Sequence, residues 1–159
     1  MGVEVSLVEG VVAALEAEDF TTLGISAPTI DEDYIFDRSP TDFTDQRKAI
    51  ISVWATGQQT PSKGARLEVI RDYSVQVRIE KHIDNASKAK RIADIKTMFN
   101  LKEAVQDVFE PNDGTAPKEF MIGANCVGWQ ETSATPVNDF KLAENIFELD
   151  LLFTFREFR

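Results

Sequence analysis

With 159 residues, 43% apolar and 28% charged, the chain has the make-up of an ordinary globular domain and is long enough to bury a core without disulfide or metal staples. Its 27 acidic residues outnumber 17 basic ones and leave a formal charge of −10, a surface that repels nucleic acid and anionic membranes. The single cysteine, Cys126, excludes an intramolecular disulfide and fits a reducing compartment.

Met1-Gly2-Val3-Glu4-Val5 lacks the basic region of a secretory signal, and no apolar run approaches the roughly 18 residues that span a bilayer. A cytosol-like milieu is therefore expected. Met1-Gly2 meets part of a myristoylation signal, but an acidic chain offers no basic second anchor.

Ser6-Leu7-Val8-Glu9 has the form of a capping box and predicts a helix from there to about Asp19, with Val8, Val11, Val12 and Leu15 on one apolar stripe facing a sheet. Pro28 and Pro40 interrupt residues 20–46, which Asp31, Glu32, Asp33, Asp37, Asp42 and Asp45 crowd with negative charge. Only Tyr34-Ile35-Phe36 reads as a strand there. The calcium-loop pattern of alternating acids followed by glycine is missing, so the segment reads as a solvated acidic loop.

Lys48 to Trp54 is a β-rich run, and the polar connection Gly57 to Ala65 leads from it into the longest alternating stretch of the chain. Val69, Tyr73, Val75, Val77, Ile79 and Ile83 share one parity, and Glu68, Asp72, Ser74, Gln76, Arg78, Glu80 and His82 share the other. Ile70 and Arg71 break the pattern. Fully extended, Arg66 to Ile83 would reach about 60 Å, about three times the usual strand, so it should bend or meet a partner chain. The two runs read as a hairpin whose connection exceeds the usual length. That connection is no phosphate loop, because Ala65-Arg66 stand where Lys-Ser/Thr should follow the glycine.

Asp84-Asn85-Ala86-Ser87 supplies cap candidates for a helix from Lys88 to Phe109, whose Ile92, Ile95, Met98, Phe99, Leu101, Val105 and Val108 cover a broad apolar face. Lys88, Lys90, Arg91, Lys96 and Lys102 gather much of the chain's positive charge on it. The plain reading is a solvated face; the functional one is an acidic partner, such as the acidic stretch of a neighbouring copy. Glu110-Pro111 ends the helix and Asn112-Asp113-Gly114 turns the chain. Phe120 to Trp129 reads as one strand with small residues at Gly123, Ala124 and Gly128. Asn145 to Arg159 alternates again, with Phe147, Leu149, Leu151, Phe153 and Phe155 on one face and Glu148, Asp150, Thr154 and Arg156 on the other. Leu152 and Phe158 fall on the polar side and suggest a second packing surface.

Strands that follow one another without crossover helices favour antiparallel pairing. The expected class is α+β: a mostly antiparallel sheet with two helices packed on one face and a long hairpin extension, in one domain over residues 1–159.

Catalytic signatures are missing. His82 stands alone on a polar strand face, Cys126 reads as a small core residue, and Glu148 with Asp150 form a carboxylate pair without partners. H-E-x-x-H, G-x-S-x-G, C-x-x-C and G-x-G-x-x-G do not occur. A chain that is not an enzyme, with no cofactor and no metal, is expected.

Taken together, the short strand ending in Trp54, the polar loop with Gln58-Gln59 and Lys63-Gly64, Arg66 opening the long strand through Asp72-Tyr73-Ser74-Val75-Gln76-Val77, the flanking helices, and the terminal run Phe153 to Arg159 resemble the tail terminator, or neck, proteins of tailed bacteriophages. The likeness lies in element order and length and covers most of the chain. It implies a structural virion protein, made in the host cytoplasm, that forms a hexameric ring at the head-proximal end of a tail tube. Such a ring ends tube polymerisation, contacts the tail-tube protein and the head-side connector, and lets DNA pass without specific binding. On this resemblance, Gln58, Gln59, Lys63, Arg66, Glu68, Ile70 and Arg71 are the subunit or ring interface. Another virion part, such as a head-closure or tail-tube subunit, and a small cytosolic ligand-binding α+β domain are the alternatives.

Overall fold

The structure is a computed structural model, and it describes residues 2–34, 37–63 and 69–158. In chain order the elements are α1 (Val3–Glu16), β1 (Thr29–Glu32), β2 (Ile50–Lys63), β3 (Val69–His82), α2 (Lys88–Phe109), β4 (Glu119–Ile122), β5 (Asn125–Ala134), α3 (Asp139–Ala143) and β6 (Ile146–Phe158), with short 3-10 turns at Phe20–Leu23 and Pro40–Asp42. The strands form one sheet in the order β1-β2-β3-β6-β5-β4. Among the described residues only β1–β2 is parallel.

The centre of the sheet is the antiparallel ladder of β3 with β6, running from Arg71 opposite Glu157 to His82 opposite Ile146. Its register sets Tyr73, Val75, Val77 and Ile79 across from Phe155, Phe153, Leu151 and Leu149, all buried. On β2, Ile51 and Val53 extend the same apolar surface, and Leu7, Val8, Val11 and Leu15 of α1 join Met98, Leu101, Val105 and Phe109 of α2 in covering it. Aromatic rings fill the far end, with Phe109 4.7 Å from Phe153 and Phe120 5.7 Å from Phe155 between centroids. This is the α+β arrangement expected, with both long helices on one face of a mostly antiparallel sheet.

Several local expectations are corrected. The first helix begins at Val3, not at a Ser6 cap, because Val3 already packs half-buried against the core; Ser6 N donates to Gly2 O inside that first turn. It also stops at Glu16, and Asp19 instead caps the following 3-10 turn by accepting from Thr21 N. The strand near Tyr34 is replaced by Thr29–Glu32, which zips onto Ile50–Val53; Ile35 and Phe36 lie outside the described residues. Phe120 to Trp129 is not one strand but the turn of a hairpin, since Gly123 takes φ +63° and reverses the chain between Ile122 and Asn125. Cys126 is half-exposed rather than core, its thiol 3.6 Å from Glu119 Oε2. The helix Lys88–Phe109 stands as expected, with the Ser87 hydroxyl accepting from Lys90 N. Among the described residues no helix is long and apolar enough to cross a membrane.

Gly10 sits in the interior of α1, where alanine would ordinarily be preferred by about 1 kcal/mol. A Cβ there would stand 2.9 Å from Cδ1 and 3.1 Å from Cε1 of Phe120, so helix and hairpin approach too closely for a side chain. Gly10→Ala should therefore fail to stabilise the protein in urea denaturation, and the same change in a Phe120→Ala background should recover the helix gain of about 1 kcal/mol.

Candidate assembly surface

Two features distinguish the molecule from a sheet that merely covers its own core. One is the distal ribbon of β2 and β3. β1 accompanies β2 only from Ile50 to Val53, so among the described residues Trp54–Lys63 has no strand on the side away from β3. Past Arg71, opposite Glu157, β3 also loses β6, and among the described residues the pairs Ser62–Ile70 and Lys63–Val69 have no further strand beside them. A bulge between Ala55 and Gln59, with Gly57 at φ +74°, interrupts the ladder where the ribbon departs from the core; Thr56 Oγ1 there donates to Ser74 O at 3.3 Å.

The expected interface residues distribute along this ribbon. Gln58 falls within the bulge, Gln59 pairs with Tyr73, Lys63 with Val69, and Ile70 with Ser62. Arg66 and Glu68 lie outside the described residues. The pairing of Gln59–Lys63 shortens the connection that the sequence suggests, because most of the supposed loop is strand. Arg71 is half-buried, opposite Glu157. Beside it, Tyr73 donates to Glu157 Oε2 at 2.7 Å and Asn125 Nδ2 donates to Glu157 Oε1 at 2.8 Å. Burial, the hydrogen bond to Glu157 and that carboxylate's charge raise the Tyr73 pKa, while Arg71 acts in the opposite sense. The inner face thus turns polar where the core ends.

The other feature is a charged layer on the outer face of the sheet, which the sequence reading left to solvent. The pleat places Ser52, Arg78 and Asp150 in one row and Glu80 opposite Glu148 in the next. Arg38, from the segment read as a solvated acidic loop, folds over these rows. Its Nε donates to Glu80 Oε1 at 3.1 Å, and its Nη2 to Asp33 Oδ2 at 2.7 Å and Ser52 Oγ at 3.4 Å. Arg78 grips Asp150 through Nε and Nη2 at 2.7 and 3.1 Å, lies 3.9 Å from Glu148 Oε1, and stands 5.4 Å from the centre of the Trp54 ring. From α3, Lys141 donates to the Arg38 carbonyl at 2.6 Å and pairs with Asp37. Residues 37–43 are therefore a strap tied across the sheet.

Four carboxylates share two guanidiniums in this layer, and one oxygen each of Glu80 and Glu148 is buried without a partner. Burial raises Glu80 from 4.5 to about 7; Arg38 opposes the shift and the Glu148 charge adds to it. For Arg78, burial works against the charge, but Asp150, Glu148 and Glu80 outweigh it and hold the pKa above its ordinary value. Alternation alone could place Glu80 and Glu148 on polar faces, but only the register makes them neighbours. Among the described residues no group of three or more metal-ligating side chains forms a cation site.

A folded pKa above the ordinary one means that the native protein holds a proton the unfolded chain releases. The Glu80 contribution is complete below about 4.5 and is lost as pH rises through about 7. Measured by urea denaturation, the stability of the wild type relative to Glu80→Gln should fall by about 3 kcal/mol between pH 4.5 and pH 7, and stay level above.

No protein-family model matches the chain, and no curated protein does. Among solved structures, the chain is similar to one described as "Virion of native gene transfer agent (GTA) particle", with 14% identity and a TM-score of 0.43, covering 96% of this chain and 98% of that one.

Proposed function

We propose that the chain is a non-enzymatic structural subunit of a virion, a tail terminator that forms a ring at the head-proximal end of a tail tube, halts tube growth and joins the tail to the head-side connector. The observation that carries this reading is the β2–β3 ribbon. It outruns both flanking strands, so that among the described residues no strand pairs with Trp54–Lys63 on the side away from β3. A free edge of this length invites another chain to pair with it, and a closed ring is the arrangement that satisfies such edges without producing a filament. The element order that resembles tail terminators supports the same reading.

The charge is consistent with a conduit. Six copies at −10 each carry about −60, and an acidic channel offers DNA no phosphate contacts that would hold it. A small ligand-binding domain would instead present a mostly apolar concavity. Among the described residues, a groove of about 700 Å³ is lined by Lys81, His82, Asp84, Lys90 and Asp94 among others.

The test shortens the ribbon without touching the core. Thr60 and Asp72 lie opposite each other, so residues 61–71 can be excised and an Asn-Gly turn inserted to close the hairpin there. The variant should keep its circular dichroism spectrum and its cooperative unfolding, yet fail to decorate the ends of cognate tail tubes in negative-stain images, where the wild type forms six-fold rings. Normal capping by the shortened chain would remove the ribbon from the interface. A wild type that never binds a tube end, or that coats tube walls, would favour a head-closure or tube subunit.

A further inference from the structure

α2 carries two apolar surfaces. Met98, Leu101, Val105 and Phe109 are buried in the core, while Ile92 and Phe99 lie on a neighbouring flank of the helix and remain 43% and 40% exposed. The Phe99 ring stands edge-on to that of Phe147, with 5.5 Å between centroids. On the same flank Lys88 and Lys96 are exposed and, among the described residues, make no ion pair. Apolar rings interleaved with unpaired cations suit an acidic surface that also offers an aromatic group.

The chain presents such a surface at β1, an edge strand of the sheet. Asp31 and Glu32 of β1 are exposed and make no ion pair among the described residues, and Tyr34 beside them is 51% exposed, its hydroxyl donating to Glu32 Oε1 at 3.0 Å. Among the described residues these two acids and the two lysines form no ion pair with one another within the molecule. We infer that the α2 flank docks the β1 edge of a second copy, Lys88 and Lys96 meeting Asp31 and Glu32 while Tyr34 covers Ile92 and Phe99. Contact between two different patches is head-to-tail and propagates around a ring. This inference rests on the ring reading and supplies its lateral contact, distinct from the ribbon.

Cross-linking tests it. In a Cys126→Ser background, Asp31→Cys and Lys96→Cys are combined in one chain and treated with a short bis-maleimide, free and on tube ends. A ladder of covalent oligomers is expected. It should be lost when Lys88→Glu is added and regained when Glu32→Lys is added to that, with circular dichroism unchanged throughout. It should also weaken with salt, since the contact is charge-assisted at a surface. Absence of a ladder overturns the contact, and six-fold rings imaged in the same sample would then leave the ring reading standing. A ladder without closed rings would uphold the contact and overturn the ring.

Discussion

Everything in this molecule depends on the register between β3 and β6. A slip of one residue would turn Phe153 and Phe155 outward and bring Asp150 and Arg156 into the core, because side chains alternate strictly along each strand. With the register set, apolar residues collect on one face, where α1 and α2 cover them, and charges collect on the other. Asp72 with Arg156 and Arg78 with Asp150 are cross-strand pairs of opposite sign that favour the observed register. β2 and β5 then attach on either side, and the short strands β1 and β4 finish the edges.

Much of this could be read from local pattern. The alternation of Tyr73 to Ile79 and of Phe147 to Phe155 marked both central strands, and Ser87 marked the start of α2, because these signals depend on near neighbours in sequence. What escaped reading depends on contacts between distant segments. Arg38 was hidden among carboxylates and gave no sign that it would be buried, since its partners Glu80 and Ser52 become neighbours only when β2 and β3 pair beneath it. Thr29–Glu32 has little strand character of its own and is drawn into the sheet by the backbone of Ile50–Val53. Gly123 was read as a small residue inside a strand when its value lay in a left-handed turn. Of the expected interface, the ribbon backbone is visible as paired strand. The flank of α2 was read largely as core because its periodicity covers more than one face.

The outer charged layer explains how an acidic segment with little apolar content keeps a defined path. A buried network of this kind adds little net stability compared with an apolar equivalent, since desolvation offsets most of the attraction. Its effect is positional. Arg38 can satisfy its donors only above Glu80, Asp33 and Ser52, and Lys141 holds the Arg38 carbonyl from α3, so the strap and α3 are fixed to one another as well as to the sheet. Phe43 completes the cover, its ring centroid 6.4 Å from that of His82. The orphan oxygens of Glu80 and Glu148 are the cost of placing two acids opposite each other.

The central ladder also governs when the chain can fold. Its Arg78–Asp150 and Arg156–Asp72 bonds join residues 72 and 84 apart, so closing it requires a large loss of chain entropy before any contact rewards it. While the chain emerges from the ribosome, β2 and β3 can pair locally as a hairpin long before β6 exists. Until then the ribbon has two open edges, and Arg78 has no Asp150 to hold. β3 therefore gains its second neighbour only once β6 has been made.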